Sequence, residues 1–468
     1  MIPMTLAELA AAVDGRLAGA DPQAQVTGPV EFDSRKVRPG GLFVAFPGEK
    51  VDGHDYAAGA VSDGGAVAVL GSRAVDGVPM VLVDDPRAAL GRLARAVLDR
   101  LPALTVIGLT GSSGKTTTKD LIAQLTVRLG ATVAPPGSFN NELGHPYTAL
   151  QADADTRFLV LEKGARGLGH VRYLCEVAPP RIAVVINVGS SHIGEFGSVE
   201  AIAEAKGELV EGLPADGLAV LNADDPRVRA MAARTAARTV LVGEASDAEI
   251  RAVDVTVDDR GRASYTLVTP AGRAAVRLGI SGRHQVGNSL AAAAVALELG
   301  MPLAELAEAL GTLGLPSTRR MDVFDRTDGV TVIDDSYNAN PASTTAALRA
   351  LAGMGARRRT IAVLGYMAEL GEYERDGHVE VGQLAAELGV DRLLVVGELA
   401  TPIHDGAVAV ADWGGESVLV TDQQAAVVEL RRELRPGDVV LVKGSRYRTW
   451  EVADALRAEA AQSTGGSR

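Results

Sequence analysis

The sequence predicts an α/β protein of three domains, and three observations carry that prediction. At 468 residues the chain has room for about three domains of roughly 150 residues each. Short apolar segments alternate with helical ones, the pattern of mainly parallel sheets. The alternation restarts near residues 105 and 315, which sets expected boundaries at 1–104, 105–314 and 315–468.

Taken in order, residues 1–15 predict a short amphipathic helix, with Thr5 as N-cap and Glu8 closing a capping box. Segments 41–46, 65–70 and 80–85 read as strands, and 86–101 as a helix with Pro86 near its start. The second domain opens with a buried strand at 104–110, a Gly-rich loop, and a helix at 116–130 ending on Gly130. Strands are expected at 157–162, 181–188 and 217–222. Residues 249–280 alternate with period two and predict an antiparallel patch, closed by an Ala-rich helix at 284–300. The third domain predicts strands at 330–335, 359–365, 392–397, 417–421 and 438–444 in an open, Rossmann-like α/β unit, and a frayed tail from residue 460.

Composition narrows the function. With 46 Lys and Arg against 59 Asp and Glu, the net charge is −13, which argues against a broad nucleic-acid surface. At 47% hydrophobic and 22% charged residues, the chain is not a disordered one. A single cysteine, Cys175, precludes an internal disulfide and suits a reducing compartment. The longest apolar run, 290–297, falls well short of the roughly 18 residues a membrane helix needs, and the start has no basic leader. A cytoplasmic protein with no membrane insertion is expected.

The strongest chemical signal is GLTGSSGKTTT at 108–118. It joins a strand to a helix. Thr110, Gly111, Ser112, Ser113, Gly114 and Thr117 surround Lys115 and Thr116, as in a P-loop that cradles ATP phosphates. There the glycines let backbone N–H groups approach, Lys115 reaches the β- and γ-phosphates, and Thr116 offers its hydroxyl to Mg²⁺. Leu109 stands where the longer Walker pattern has glycine, so this is a shortened variant. Three polar residues follow apolar strands or lie beyond them: Glu162, His192 and Lys206. A carboxylate and an imidazole can join Thr116 in holding Mg²⁺ on ATP. Each also has a plain reading, as a strand-end carboxylate, a hydrogen-bonded loop histidine and a solvated helix lysine.

Together these motifs resemble the Mur ligases from about Asp33 to Lys443. The matching segments are TGSSGKTTTK, GSFNNELGHP at 137–146, AKGEL at 205–209, GRHQVGNSLAAAA at 282–294 and DDSYNANPAS at 334–343, the most discriminating of them. DSRKVRPGGLFVAFPGEKVDGHDY at 33–56 resembles a UDP-sugar-binding N-terminal module. The resemblance implies an ATP-dependent, ADP-forming ligase of peptidoglycan precursor synthesis. It would join D-alanyl-D-alanine to UDP-N-acetylmuramoyl-tripeptide through an acyl phosphate. It also implies that Thr116 and Glu162 hold one Mg²⁺, and that His192 and Lys206, as a carbamate, help hold a second. Lys115, His192 and Lys206 would be catalytic. Asn288, Arg319, Asp335, Asn338 and Asn340 would surround the nucleotide, Asn140 and Asn141 the substrate, and Ser34 and Arg35 the uridine diphosphate. A monomer is expected. The chain departs from the family pattern at Lys163, in the SSH of 190–192, at Tyr366 and at Tyr447 to Trp450; the resemblance implies that the departures at Tyr366 and at Tyr447 to Trp450 lie where the C-terminal domain shapes nucleotide or dipeptide contacts. Two other functions stay open on the sequence: a folylpolyglutamate-type amide ligase of the same superfamily, and a nucleotide- or muropeptide-binding homologue without turnover.

Overall fold

Three large sheets and a two-stranded ribbon, Met4–Thr5 against Gln25–Val26, carry the chain in a computed structural model that describes residues 1–48, 50–445 and 447–465. The first helix, Leu6–Ala12, starts as its sequence dictates. Glu8 N–H donates to Thr5 Oγ1 at 3.2 Å, and Thr5 N–H returns the bond to Glu8 Oε2 at 2.8 Å. The first sheet runs Arg16–Ala18, Met80–Leu82, Ala68–Gly71, Leu42–Val44, Val30–Glu31, parallel except for the first pair. Helix Pro86–Leu98 follows, with Pro86 in its first turn and Asp85 capping Arg87 and Ala88 N–H. It buries Leu90, Leu93, Ala94 and Val97 in a core that continues into Val106, Leu159 and Leu161 of the second sheet.

The second sheet has nine strands, in the order Gly272–Ser281, Arg262–Thr269, Ile250–Val257, Arg238–Gly243, Leu218–Asn222, Ile182–Val185, Thr105–Thr110, Phe158–Glu162, Thr132–Val133. The 250–281 hairpins are antiparallel, as the period-two pattern predicts, and the other pairings are parallel. Chain direction through the order reverses at Thr105–Thr110, which lies between Ile182–Val185 and Phe158–Glu162. Such a switch point opens a crevice at the carboxyl ends of the strands. Helix Lys115–Val127 starts there. It stops at Val127, short of the expected end at Gly130, with Arg128 as C-cap. Helix Gln285–Glu298 packs against it and against the second sheet, and its alanines at 291–294 and 296 are all buried.

The third sheet runs Asp322–Asp325, Thr331–Asp334, Val439–Lys443, Thr360–Gly365, Arg392–Val396, Glu416–Val420, parallel except for the first pair. Sequence reading misses the edge strands Arg16–Ala18, Val30–Glu31, Thr132–Val133 and Asp322–Asp325 and the inner strand Arg238–Gly243. The edge strands are too short to show a period. The expected fraying from residue 460 is replaced by helix through Gly465, and 466–468 lie outside the described residues. Among the described residues no helix is long and apolar enough to cross a membrane.

The unexpected Lys163 points into the interior. Its Nζ donates to Leu174 O at 2.8 Å and Ala178 O at 3.0 Å and meets His145 Nε2 at 3.0 Å. It thereby satisfies carbonyls at the end of helix His170–Val177. Burial pushes its ammonium down to about 8. The unfolded chain therefore binds more protons than the fold between about pH 8 and the ordinary value of 10.5. Across that window the stability of the wild type should rise relative to Lys163→Met, by on the order of a few kcal/mol. Parallel pH–stability curves in chemical denaturation would remove the buried charge from the account.

Candidate active site

The loop between Thr105–Thr110 and Lys115–Val127 is shaped by its neighbours as much as by its glycines. Gly114 sits at φ +79°, and a Cβ there would come within 2.7 Å of Asn288 Oδ1, so both backbone and space require glycine. Asn187, at the end of the neighbouring parallel strand, holds the loop. Its Oδ1 accepts Ser113 N–H at 3.0 Å, and its carbonyl accepts Ser112 N–H at 3.1 Å. Lys115 Nζ bonds Gly111 O at 2.6 Å. Thr110 turns its hydroxyl away, to Lys163 O at 2.8 Å. Thr110 and Gly111 thus build the loop, while Ser112, Ser113, Gly114, Lys115, Thr116 and Thr117 line a cleft of about 500 Å³.

Glu162, fully buried, ends the adjacent strand. Its Oε2 accepts Ser138 Oγ at 3.1 Å and Asn140 Nδ2 at 3.3 Å, while Oε1 is buried without a partner. A desolvated carboxylate oxygen in this position calls for a cation. Hard oxygen donors such as Glu162 and the Thr116 hydroxyl suit Mg²⁺, so the residues present fit that ion. Asn141 has a turn-building role, its Oδ1 accepting Gly144 N–H at 2.8 Å.

Lys206 lies on helix Val199–Glu211 and is only 3% exposed. Burial, and then the nearby Lys115 charge, push its ammonium well below the usual lysine range. Burial also lowers Lys115, with Arg320 adding to the effect and Glu162 opposing it. His192 sits at φ +61°, its Nδ1 2.5 Å from Glu369 Oε2. Burial outweighs that carboxylate and holds the imidazole below its usual value. Glu195 joins them: candidate ligand atoms of His192, Glu195 and Glu369 all lie within 4.8 Å of one another, a grouping the sequence does not signal.

The third unit supplies the other wall. Asn340 caps helix Pro341–Met354, its Oδ1 accepting Ser343 N–H at 2.9 Å, and its Nδ2 reaches Ser191 Oγ across the cleft. Asp335 accepts Met321 N–H at 3.0 Å and Lys443 Nζ at 2.5 Å, and Lys443 also bonds Asn338 O at 3.0 Å. Arg319 is held by Asp454 at 2.9 Å and by the Trp450 ring. Arg320, which sequence reading passes over, is the arginine whose charge acts on Lys115, and it stacks on Tyr337. Asn288, Arg319, Asp335, Asn338 and Asn340 all line the cleft. Ser34 and Arg35 do not, and the Arg35 side chain is 87% exposed beside Asp33. Tyr366 stacks on His378 at 5.2 Å and bonds Glu374, and neither it nor Tyr447 lines the cleft. The departures act on the cleft indirectly: the Tyr366 carbonyl accepts Ser445 Oγ at 3.0 Å, Ser191 bonds Asn340 and Trp450 backs Arg319, and these three partners line the cleft.

Family models match in three blocks: a Mur ligase family catalytic domain over residues 29–97, a Mur ligase middle domain over 109–296, and a Mur ligase glutamate ligase domain over 319–446. The chain is 49% identical to UDP-N-acetylmuramoyl-tripeptide–D-alanyl-D-alanine ligase of Mycobacterium tuberculosis, over 98% of both chains. It is 37% identical to the Escherichia coli enzyme of the same name, over 96% of this chain and 97% of that one. Among solved structures, MurF from Acinetobacter baumannii superposes with a TM-score of 0.88 at 30% identity, covering 98% of this chain and 99% of that one. MurF from Thermotoga maritima in complex with ADP superposes with a TM-score of 0.79 at 30% identity, covering 94% and 99%.

Losing a charge-assisted hydrogen bond to phosphate costs about 1.5–3 kcal/mol. Lys115→Ala should therefore weaken ADP binding about 10- to 100-fold by calorimetry. An unchanged affinity would place the phosphates elsewhere.

Proposed function

The chain belongs to the Mur ligase family, and from that premise we infer that its cleft is where a peptide acid is activated by ATP and joined to an amine. The protein is an ATP-dependent, ADP-forming ligase that adds D-alanyl-D-alanine to UDP-N-acetylmuramoyl-tripeptide in peptidoglycan synthesis. The observation that carries the assignment of roles is the crowding of Lys206, His192 and Arg320 around Lys115, which the buried Glu162 also faces. That arrangement favours anions.

In this reading the loop amides of residues 111–115 and the Lys115 ammonium grip the β- and γ-phosphates. The tripeptide's terminal carboxylate attacks the γ-phosphorus, the bond from that phosphorus to the ADP oxygen breaks, and an acyl phosphate forms. The dipeptide's amine then attacks that carbonyl and phosphate leaves. The first step brings two anions together, and Lys115 offsets their repulsion. Thr116 and Glu162 would hold one Mg²⁺, and His192 and carbamylated Lys206 would help hold another, supplying charge neutralisation at the transferring phosphoryl group. The neutral Lys206 amine favoured by burial can attack the carbon of CO₂. It then loses a proton and becomes an anion with oxygen donors. Asn288, Arg319, Asp335, Asn338 and Asn340 would surround the nucleotide, with Arg320 beside the phosphates. Asn140 and Asn141 would meet the peptide, and Ser34 and Arg35 the uridine diphosphate. The proposed division is 1–104 for the UDP-muramoyl-peptide, 105–314 for ATP and 315–468 for closing the cleft, in a cytoplasmic monomer.

The reading is tested by phosphate release from ATP, which should require UDP-N-acetylmuramoyl-tripeptide and D-alanyl-D-alanine together. Release without the dipeptide, or with another amine in its place, would point to a different ligase, and binding without release to a non-catalytic homologue. Lys206→Ala should be largely inactive and partly restored by short carboxylic acids. With ¹³C-labelled bicarbonate, the wild type should show a carbamate carbon resonance that the variant lacks. Full activity of the variant without additive would remove the carbamate from the mechanism.

A further inference from the structure

The third unit meets the second at a point where neither contributes a side chain. A Cβ built on Gly194 lies 2.5 Å from Gly371 N and 2.8 Å from Gly371 Cα, and one built on Gly371 lies 2.5 Å from Gly194 Cα. The clashing atoms are backbone in both directions, so no rotamer change relieves them. Gly194 N–H donates to Glu369 O at 3.3 Å across the same contact. The flanking residues bridge it as well: His192 faces Glu369, Ser191 bonds Asn340, and Ile193 packs against the cores of both units. At the other end of the seam the connecting segment is pinned to the helix that follows the phosphate loop. Gln124 Nε2 donates to Gly314 O at 2.9 Å, and Ser317 N–H donates to Asp120 Oδ2 at 3.2 Å. Arg260 Nη1 of the second unit also donates to Asp325 Oδ2 of the third at 2.7 Å. The third unit is thus held at several separated places, and of these the glycine contact is the one beside which Glu369 and Asn340 enter the cleft.

We infer that the Gly194–Gly371 contact is a positioning device for the ligation. It sets how close Glu369, Asn340 and Arg320 stand to Lys206 and His192. The inference rests on the ligase reading of this cleft. Restoring an ordinary contact of 3.4 Å from 2.5 Å requires a separation of about 1 Å, and a displacement of that size at reacting groups costs about 100-fold in rate. Neither glycine lines the cleft, so neither touches the reactants.

The two glycines of the second unit's loop separate this role from local strain. Gly194 is not in the left-handed region, so alanine there reads the contact alone. Gly197 lies at φ +78° with nothing within 4 Å of its Cβ, so alanine there strains the loop without touching the third unit. Gly194→Ala should lower kcat about 10- to 100-fold while leaving KM for UDP-N-acetylmuramoyl-tripeptide within about twofold. Gly197→Ala should keep kcat within about threefold. Hydrogen exchange in the segment 368–373 should quicken in Gly194→Ala and stay unchanged in Gly197→Ala. Unchanged kcat and exchange in Gly194→Ala, or equal losses of kcat in both variants, would overturn the inference. If the wild type does not join the dipeptide, the ligase reading fails, while the exchange comparison still decides whether the contact holds the units together.

Discussion

The cleft is organised by one electrostatic constraint: several basic side chains are brought out of water into a small volume, close enough to act on one another. Lys115, Lys206 and His192 each titrate below their ordinary range, burial being the first cause in every case. Desolvation penalises each ammonium separately, and their mutual repulsion adds to the penalty. The arrangement is stable where anions meet it, and phosphates and peptide carboxylates are such anions. The same penalty that lowers Lys206 favours its neutral amine, the form the proposed carbamate requires. Glu162 is the inverse case, a fully buried carboxylate with one oxygen unpartnered.

That crowding is possible because of where the sheet reverses. Thr105–Thr110 has neighbours on both sides whose carboxyl ends open onto the same crevice, so the phosphate loop, Glu162 and Asn187 arrive together from three parallel strands. The third sheet adds a wall across a seam. The seam is closed by backbone against backbone at Gly194 and Gly371, and the connecting segment is fastened by Asp120 and Gln124.

Much of this was legible in the residues. The phosphate loop, the antiparallel patch and the alternating third unit are local patterns, and the structure reproduces each within a few residues. Polar residues at strand ends are a usable signal: Glu162 carries it, and so do Asn187 and Lys443, which also end or follow apolar strands. Lys163 departs from the family pattern, and its role is to satisfy the carbonyls of Leu174 and Ala178. Tyr366 likewise turns toward His378 and Glu374.

By itself, the sequence determined the fold class, the nucleotide loop and the inventory of reactive groups, because strand and helix periodicity and a Gly-Lys-Thr turn are short-range properties of the chain. Only the tertiary structure decided which of those groups share a dielectric environment. The pairing of Glu369 with His192, the action of Arg320 on Lys115 and the meeting of Gly194 with Gly371 join residues far apart in sequence. Burial and Coulomb interaction depend on distance in space, and no local pattern encodes that distance.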